Sequence, residues 1–296
     1  MPKPKPTISI IGAGRLGTAL ALALATRGYP IRALAARRQS HARKSISLAG
    51  LPSPTLALGA DQLEQLPPSD LVLITTPDDV IADIARNFAK LRRGARHRAT
   101  FLHTSGALSS AVLSPLAKAG FHTGSMHPLV SISLPKAGAG ALHGAFYCVE
   151  GDSVALRFAK MIVRDLNGTA FTIKRESKAL YHAAAVMASP HLVALFDLAT
   201  ELLAGCGLSR KAARQVLLPL LESTVNNLKA SPPQKALTGT FARGDVATVK
   251  RHLEALSGNA HSEALRIYKV LGLRSLQLAG EKGIDAKVKQ IKELLK

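Results

Sequence analysis

The chain has 296 residues, 47% of them hydrophobic, which excludes a disordered protein and is enough for two domains with separate cores. We expect no membrane span, because charges and glycines interrupt the apolar stretches. We also expect no signal peptide, because prolines and lysines occupy residues 2–6. The sequence therefore predicts a soluble, cytoplasmic protein.

The net charge of +20 favours anionic partners. Nucleic-acid binders combine basic residues with stacking aromatic side chains or a basic stripe, whereas this chain is 4% aromatic, has no tryptophan and spreads its basic residues along its length. We therefore expect a small anionic ligand and no specific nucleic acid. The two cysteines, Cys148 and Cys206, are too distant in sequence to suggest a disulfide framework or a thiolate zinc site.

A β-branched segment followed by three glycines opens the chain. Ile8 to Ile11 predicts a strand, a glycine-rich turn follows, and an alanine- and leucine-rich helix then runs to about Thr26. Glycines at this spacing allow a sharp turn, the close approach of a pyrophosphate and tight packing of the helix on its strand. We predict a dinucleotide site formed by Gly12, Ala13, Gly14, Arg15, Leu16 and Gly17.

The end of the second strand, at residues 31–35, indicates which dinucleotide binds. An NAD site usually places Asp or Glu about 20 residues after the glycines, whereas Arg37, Arg38 and Ser40 occupy this region and no acidic residue precedes Asp61. Two guanidinium groups and a hydroxyl suit a 2′-phosphate. We therefore predict NADP(H); the alternative is that both arginines are ordinary solvated charges.

Polar residues follow the next three predicted strands. The strand at residues 70–75 leads into Thr76 and Pro77, before a helix that Asp78 would cap. The strand at residues 99–102 leads into His103, Thr104, Ser105 and Gly106, and the strand at residues 120–126 leads into His127. Because ligands bind at the carboxyl ends of parallel strands, we expect the cofactor to contact Thr76, Pro77, Thr104, Ser105 and Gly106.

Two later strands, at residues 147–150 and 170–173, flank a helix at residues 154–166. Beyond residue 175 every segment has a helical pattern. We therefore predict an α/β Rossmann domain with a doubly wound, mostly parallel sheet over residues 1–174, followed by an all-α domain over residues 175–296.

Lys178 and His182 lie four residues apart, so a helix places them on one face. A lysine can donate to a carbonyl or carboxylate, and a histidine can hold a substrate or move a proton. Helical spacing alone, however, favours an exposed lysine beside a structural histidine.

Further short motifs follow the glycine turn in a fixed order. They are His103 to Leu108 (HTSGAL), His127-Pro128-Leu129, Val149 to Asp152 (VEGD), Lys178 with Tyr181 to Ala184, and Ala236 to Gly239 with Ala242 to Asp245. With these motifs the chain resembles the Rossmann-like NADP oxidoreductases that carry a C-terminal helical domain of uncharacterised function. Ketopantoate reductase, pyrroline-5-carboxylate reductase, the β-hydroxyacid dehydrogenases and, in the helical domain, 6-phosphogluconate dehydrogenase are related to that family.

The resemblance implies an NADP(H)-dependent oxidoreductase that transfers hydride to or from a small oxo acid or imine, such as ketopantoate, in the cleft between the domains. Lys178 matches an active-site lysine of the relatives and is expected to polarise the acceptor. His182 stands where the relatives have an asparagine, and His127 belongs to a motif similar to one in prephenate dehydrogenase. Either histidine is expected to orient the substrate or relay a proton. A homodimer through the helical domain is also implied.

His182, Pro190 and Thr240 depart from the family pattern, which leaves altered or lost activity open. The second hypothesis is therefore a non-catalytic NADP(H)-binding redox sensor or regulatory protein. No metal is predicted, because the local spacing of a metal site is absent around His103, His127, His182 and His252. Arg243-Gly244-Asp245 fits either a substrate carboxylate or a turn.

Overall fold

The computed structural model describes residues 4–91, 99–280 and 285–296. Its internal contacts divide the chain into two compact units, Met1–Pro190 and His191–Lys296. The predicted change from α/β to helical structure comes earlier, since the last described strand ends at Phe171. The segment that carries Lys178 and His182 therefore belongs to the same compact unit as the sheet.

The first unit is built on an eight-stranded sheet with the order β3-β2-β1-β4-β5-β6-β7-β8. The first six strands run parallel to their neighbours, β7 is antiparallel to β6, and β8 is parallel to β7. The strands are β1 Ile8–Ile11, β2 Ile31–Ala35, β3 Leu56–Leu58, β4 Leu71–Ile74, β5 Thr100–His103, β6 His122–Pro128, β7 Phe146–Gly151 and β8 Thr169–Phe171. The predicted fold class, a Rossmann domain followed by a helical region, is confirmed.

Helices cover both faces of this sheet. Alternate residues of β4 enter two different cores, Leu71 and Leu73 in one, Val72 and Ile74 in the other, as expected for a buried parallel strand. The helices of this unit are α1 Arg15–Ala25, α2 Gln39–Leu48, α3 Asp78–Leu91, α4 Ser114–Lys118, α5 Pro135–Leu142, α6 Ser153–Asp165 and α7 Lys178–Ala188.

The strand register aligns the carboxyl ends of the parallel strands. Ile11 pairs with Ile74, Ile74 with His103, and His103 with Ser125. The loops that follow β1, β4 and β5 therefore leave the sheet at one edge, the carboxyl edge. This places the glycine turn, Thr76 and the Thr104–Gly106 loop together at the edge where the sequence predicted them.

The second unit is helical. A small core of Val249, Leu276, Val288, Ile291 and Leu295 holds its last helices together. The helices are α8 Pro190–Gly205, α9 Arg210–Ala230, α10 Pro233–Ala236, α11 Thr240–Arg243, α12 Val246–Leu256, α13 Ser262–Ala279 and α14 Asp285–Leu294.

One apolar segment is longer than expected. No charge or glycine occurs between Ala179 and Phe196, and the helical stretch Arg175–Gly205 is long and apolar enough to cross a membrane by length and composition. The expectation that charges and glycines keep every apolar stretch short is therefore wrong. The stretch is not one continuous α-helix, because Ser189 leaves helical geometry and Pro190 begins α8. Proline is well suited to a first helical position, where its missing N–H costs no hydrogen bond.

Candidate functional site

The glycine turn has two positions that accept only glycine. Gly12 has φ +114°, and a Cβ there would lie 2.6 Å from the carbonyl carbon of Thr75. A Cβ on Gly17 would lie 2.0 Å from the Gly12 carbonyl oxygen. The same oxygen accepts a hydrogen bond from the Thr75 hydroxyl at 2.6 Å. β1, α1 and the end of β4 are thus packed backbone against backbone.

Gly14 has a different environment, because no described heavy atom outside Gly14 and its two chain neighbours lies within 4 Å of the position that its Cβ would take. It is the N-cap of α1, and within the described ranges no side chain caps that helix end. The first N–H groups of α1, those of Arg15 and Leu16, are therefore available to an anion. Open space in front of uncapped amides is what a pyrophosphate needs.

Thr76, at the carboxyl edge, has a hydroxyl without a partner. Its Oγ1 is buried and, in the part of the chain that the structure describes, makes no hydrogen bond. A buried hydroxyl of this kind is costly unless a ligand satisfies it. The residues of the turn, the open cradle at Gly14 and the Thr76 hydroxyl together fit a dinucleotide. The neighbouring Pro77 is exposed.

The arginines predicted to hold a 2′-phosphate directly follow β2. Arg37 and Arg38 are exposed, and Ser40 lies in the first turn of α2, which contains no acidic residue. Gln39 instead faces the protein, donating to the Ala57 carbonyl at 2.9 Å. The two guanidinium groups and the Ser40 hydroxyl thus remain on the surface beside the turn of β2 into α2.

The loop after β5 is held by its own side chains. Ser105 donates from Oγ to Asp78 at 2.8 Å and accepts from the N–H groups of Ala107 and Leu108. The Ser105 N–H donates to Nδ1 of His103 at 3.2 Å. Thr104, the other predicted contact here, is buried against the end of β4, where its N–H donates to Ile74. Asp78 therefore fixes this loop in addition to beginning α3.

Lys178 is buried, with 2% of its surface exposed. The interpretation that helical spacing alone favoured, an exposed lysine, is therefore wrong. Its Nζ donates to the Ser105 carbonyl at 3.2 Å and to the Ser125 hydroxyl at 3.4 Å. Burial lowers the pKa of this amine, and Cys148, Glu150 and Asp78 oppose that shift. Among the described residues two protein oxygens thus accept from this amine, which can donate three hydrogen bonds when protonated.

Glu150 on β7 supports this arrangement and was not predicted as a site residue. Its carboxylate accepts from the N–H and hydroxyl of Ser110 and from Arg175 at 3.4 Å. It also accepts from Ser125 at 3.5 Å, so Ser125 connects Glu150 to Lys178. The VEGD motif contained a signal for Glu150, whereas nothing in the sequence pattern marked Ser125.

His127 and His182 meet next to Gly106. Their ring centres are 5.8 Å apart, and a Cβ on Gly106 would lie 2.4 Å from Cδ2 of His182 and 2.9 Å from Nε2 of His127. Glycine at position 106 therefore lets both imidazoles approach the loop. Tyr181 belongs to the motif from Tyr181 to Ala184 but was not predicted as a site residue. It places its hydroxyl 2.6 Å from Nδ1 of His127 and its ring 5.6 Å from Nζ of Lys178.

Two histidines of the site are held neutral. Burial, reinforced by the charge of Lys178, lowers the pKa of His127 to about 4. The same two causes, in the same order, lower the pKa of His103 to about 4. Among the described residues Nε2 of His103 makes no hydrogen bond of normal geometry, and the backbone of Ser109 opposes the lowering of the pKa of this ring. At neutral pH both rings are therefore hydrogen-bonding groups and not cations.

The structure thus brings together Lys178, His182, His127, Ser105 and Gly106. His252 belongs to the second unit, where its Nδ1 lies 2.8 Å from the Tyr268 hydroxyl. Within the described residues no three metal-ligating side chains are grouped.

The motif Arg243-Gly244-Asp245 forms a turn of the second unit. Gly244 adopts the left-handed conformation at the end of α11, and Asp245 caps α12 by accepting from the Thr248 N–H and hydroxyl. Of the two interpretations of this motif, the geometry favours the turn.

Two family models match the chain. Residues 1–128 match a Rossmann-like domain, and residues 145–275 match a domain described as of unknown function, DUF2520. No protein of curated function matches the sequence.

Solved structures match over nearly the whole chain. A candidate NADP oxidoreductase from Bacteroides fragilis has 25% identity and a TM-score of 0.74, covering 93% of this chain and 99% of its own. A protein from Thermotoga maritima has 24% identity and a TM-score of 0.68, covering 92% and 98%. A 1-pyrroline-5-carboxylate reductase from Streptococcus pyogenes has 14% identity and a TM-score of 0.60, covering 98% and 100%, and shows likeness of fold alone. These matches confirm the resemblance that the motifs indicated.

Proposed function

Because this chain joins a Rossmann-like domain to the domain of unknown function DUF2520, we propose that it is an NADP(H)-dependent oxidoreductase acting on a small oxo acid or imine. The observation that carries the proposal is the buried amine of Lys178 beside His127 and His182 at the carboxyl edge of a dinucleotide-binding sheet. Ligands of this class of sheet bind at that edge.

NADP(H) is the cofactor that the residues and the similarity to an NADP oxidoreductase support. The turn from Gly12 to Gly17 and the first amides of α1 would hold its pyrophosphate. Arg37, Arg38 and Ser40 would hold the 2′-phosphate, and Thr76, Pro77 and the Thr104–Gly106 loop would lie beside the remainder. When bound, this cofactor supplies or accepts the hydride.

The protein side chains supply polarisation and orientation. The remaining N–H of Lys178 donates to the oxo oxygen or imine nitrogen and stabilises the charge that develops there. His127 and His182 flank the same position, and they orient the acceptor or relay its proton.

The proposed substrate is small and anionic. The acidic groups next to the site are already engaged, Asp78 by Ser105 and Glu150 by Ser110, Ser125 and Arg175. The groups that we assign to the substrate, the amine of Lys178 and the imidazoles of His127 and His182, can each donate a hydrogen bond. The net charge of +20 would also attract a carboxylate substrate and the cofactor. Within this class, ketopantoate stays one candidate, and a cytoplasmic location stays a prediction.

The proposal is tested by oxidation of NADPH in the presence of a panel of 2-oxo acids and cyclic imines. We expect turnover of at least one compound, and we expect Lys178→Met to lower kcat by about 100-fold or more while the Kd for NADPH stays within about twofold. Lys160→Met, at an exposed lysine of α6, is the control and should behave like the wild type. Equal kcat values for Lys178→Met and wild type would contradict the assigned role.

One observation favours the second candidate, a non-catalytic NADP(H) sensor. Lys178 is almost fully buried and already bonded to two protein oxygens, as a purely structural lysine would be. Tight NADPH binding without turnover of any compound of the panel would support the sensor and reject the reductase.

We also propose a homodimer through the helical region, which we define as residues 175–296. On α7 the residues Leu180, Ala183, Ala184 and Met187, spaced for one helix face, are all exposed. On α9 Val216 and Leu220, one turn apart, are 58% and 65% exposed. Apolar faces of this kind in a monomer typically mark an interaction surface. A second copy of the chain is the partner that the family resemblance implies.

A further inference from the structure

We infer that Tyr181 is a positioning residue that fixes the tautomer of His127, so that the Nε2–H of His127 is the group offered to the oxygen or nitrogen acceptor of the substrate. The identity of that ligand rests on the proposed function, whereas the pairing of the two side chains stands on geometry. Neither the glycine motif nor the lysine at the start of α7 requires this tyrosine.

The contact between the two side chains is close and well supported. The Tyr181 hydroxyl lies 2.6 Å from Nδ1 of His127, and the two rings meet edge to face with centres 5.5 Å apart. Phe171 packs against Tyr181 with a ring-centre distance of 5.9 Å. Because α7 carries Tyr181 and β6 carries His127, both ends of the hydrogen bond are attached to regular structure.

Among the described residues the Tyr181 hydroxyl has no acceptor other than Nδ1 of His127, so we assign the tyrosine as the donor. Burial raises the pKa of the Tyr181 hydroxyl, so the phenol keeps its proton and can donate. Burial and Lys178 lower the pKa of His127 to about 4, so at neutral pH the ring holds a single proton. With Nδ1 accepting from Tyr181, that proton resides on Nε2.

Nε2 of His127 is the nitrogen that remains available. Among the described residues this nitrogen takes part in no hydrogen bond, and it is not fully buried. His103 differs, because its Nδ1 accepts from Ser105 while its Nε2 is buried. Gly106, next to Nε2 of His127, keeps this approach free of a side chain.

A neutral imidazole in this state is a donor of fixed direction. Its N–H would hydrogen-bond to the acceptor atom, and that bond would strengthen as negative charge develops on the atom during reduction. Without Tyr181 the ring could place its proton on either nitrogen, and only one of the two tautomers would donate. Tyr181 would therefore act on the reaction through His127 and not by touching the substrate.

The test is the tautomer of His127 in the protein without ligands, measured at pH 7 from long-range proton–nitrogen correlations of ¹⁵N-histidine-labelled protein. We expect the Nε2–H tautomer in the wild type and a mixture of tautomers in Tyr181→Phe. A matched control exists in the second unit, where the Tyr268 hydroxyl lies 2.8 Å from Nδ1 of His252 with ring centres 5.7 Å apart. Tyr268→Phe should change the signals of His252 and leave those of His127 unchanged.

Kinetics provide the second readout. With any compound that the panel identifies, we expect Tyr181→Phe to lower kcat about tenfold and to leave the Kd for NADPH within about twofold. A wild-type His127 protonated on Nδ1 would overturn the inference without any variant, and so would an unchanged tautomer in Tyr181→Phe. A tautomer change in a protein that turns over no compound would support the pairing and reject only the reductase.

Discussion

Arg37 and Arg38 test the choice of cofactor at the level of single side chains. Each would make a charge-assisted contact with the 2′-phosphate, which NADH lacks. We expect the double variant Arg37→Ala/Arg38→Ala to raise the Kd for NADPH about 100-fold and to change the Kd for NADH little, as measured by calorimetry. Arg32→Ala, at an exposed arginine within β2, is the control. Equal weakening of both cofactors would contradict the assignment.

His103 and His127 connect the site to stability. Burial lowers the pKa of each ring to about 4 in the folded protein, compared with about 6.5 in an unfolded chain. Between these values the unfolded state binds more protons, so the free energy of unfolding should fall as the pH decreases from about 6.5 to about 4. The expected loss is at most about 3 kcal/mol per histidine.

Urea denaturation at several pH values within this window measures the effect. His127→Gln should remove about half of the pH dependence, because one of the two rings then no longer titrates. A free energy of unfolding that stays constant across the window would contradict the neutral state of both rings.

At the scale of secondary structure, the carboxylate of Glu150 joins β7 to β6, to the turn at Ser110 and to the turn at Arg175. We expect Glu150→Gln to lower the free energy of unfolding by about 2–4 kcal/mol, because a buried network then loses its charge-assisted bonds. Glu176→Gln, at an exposed neighbour of Arg175, is the control. A loss below about 0.5 kcal/mol in Glu150→Gln would show that the network contributes little.

The parallel part of the sheet could be predicted because its strands and turns are encoded locally. β1, β2 and β4 are short β-branched or leucine-rich runs ended by glycine, arginine or threonine-proline, and the structure places them where the patterns did. β3 was not predicted, because its three residues are too few for a periodic pattern. The antiparallel direction of β7 depends on its pairing with β6, which no local pattern records.

The same distinction separates the predicted site residues from the missed ones. Lys178 and His182 belong to one short motif that the family resemblance identified, although their helical spacing alone did not favour a site. Ser125 and Tyr181 act through partners that are 53 and 54 residues away in sequence. Burial of Lys178 was also not predictable, because helix α7 gives no sign of which of its faces meets the sheet.

At the scale of the whole molecule, the exposed apolar faces of α7 and α9 predict self-association. We expect the wild type to sediment as a dimer and Leu220→Asp to shift it toward the monomer, because a charge would be buried in the interface. Leu134→Asp is a matched control, since Leu134 is 66% exposed and Leu220 is 65% exposed, and Leu134 lies outside the helical region. A monomeric wild type, or a Leu220→Asp variant that stays dimeric, would contradict the proposed interface.

The three glycines of the first turn serve two different requirements. Any side chain at Gly12 or Gly17 would collide with backbone, whereas the position that a Cβ of Gly14 would take is open, so only the proposed nucleotide gives a reason for glycine there. A descendant that abandoned nucleotide chemistry could therefore replace the middle glycine and still fold. Among homologous sequences, the residue at this position would therefore distinguish proteins that bind the nucleotide from proteins that no longer do.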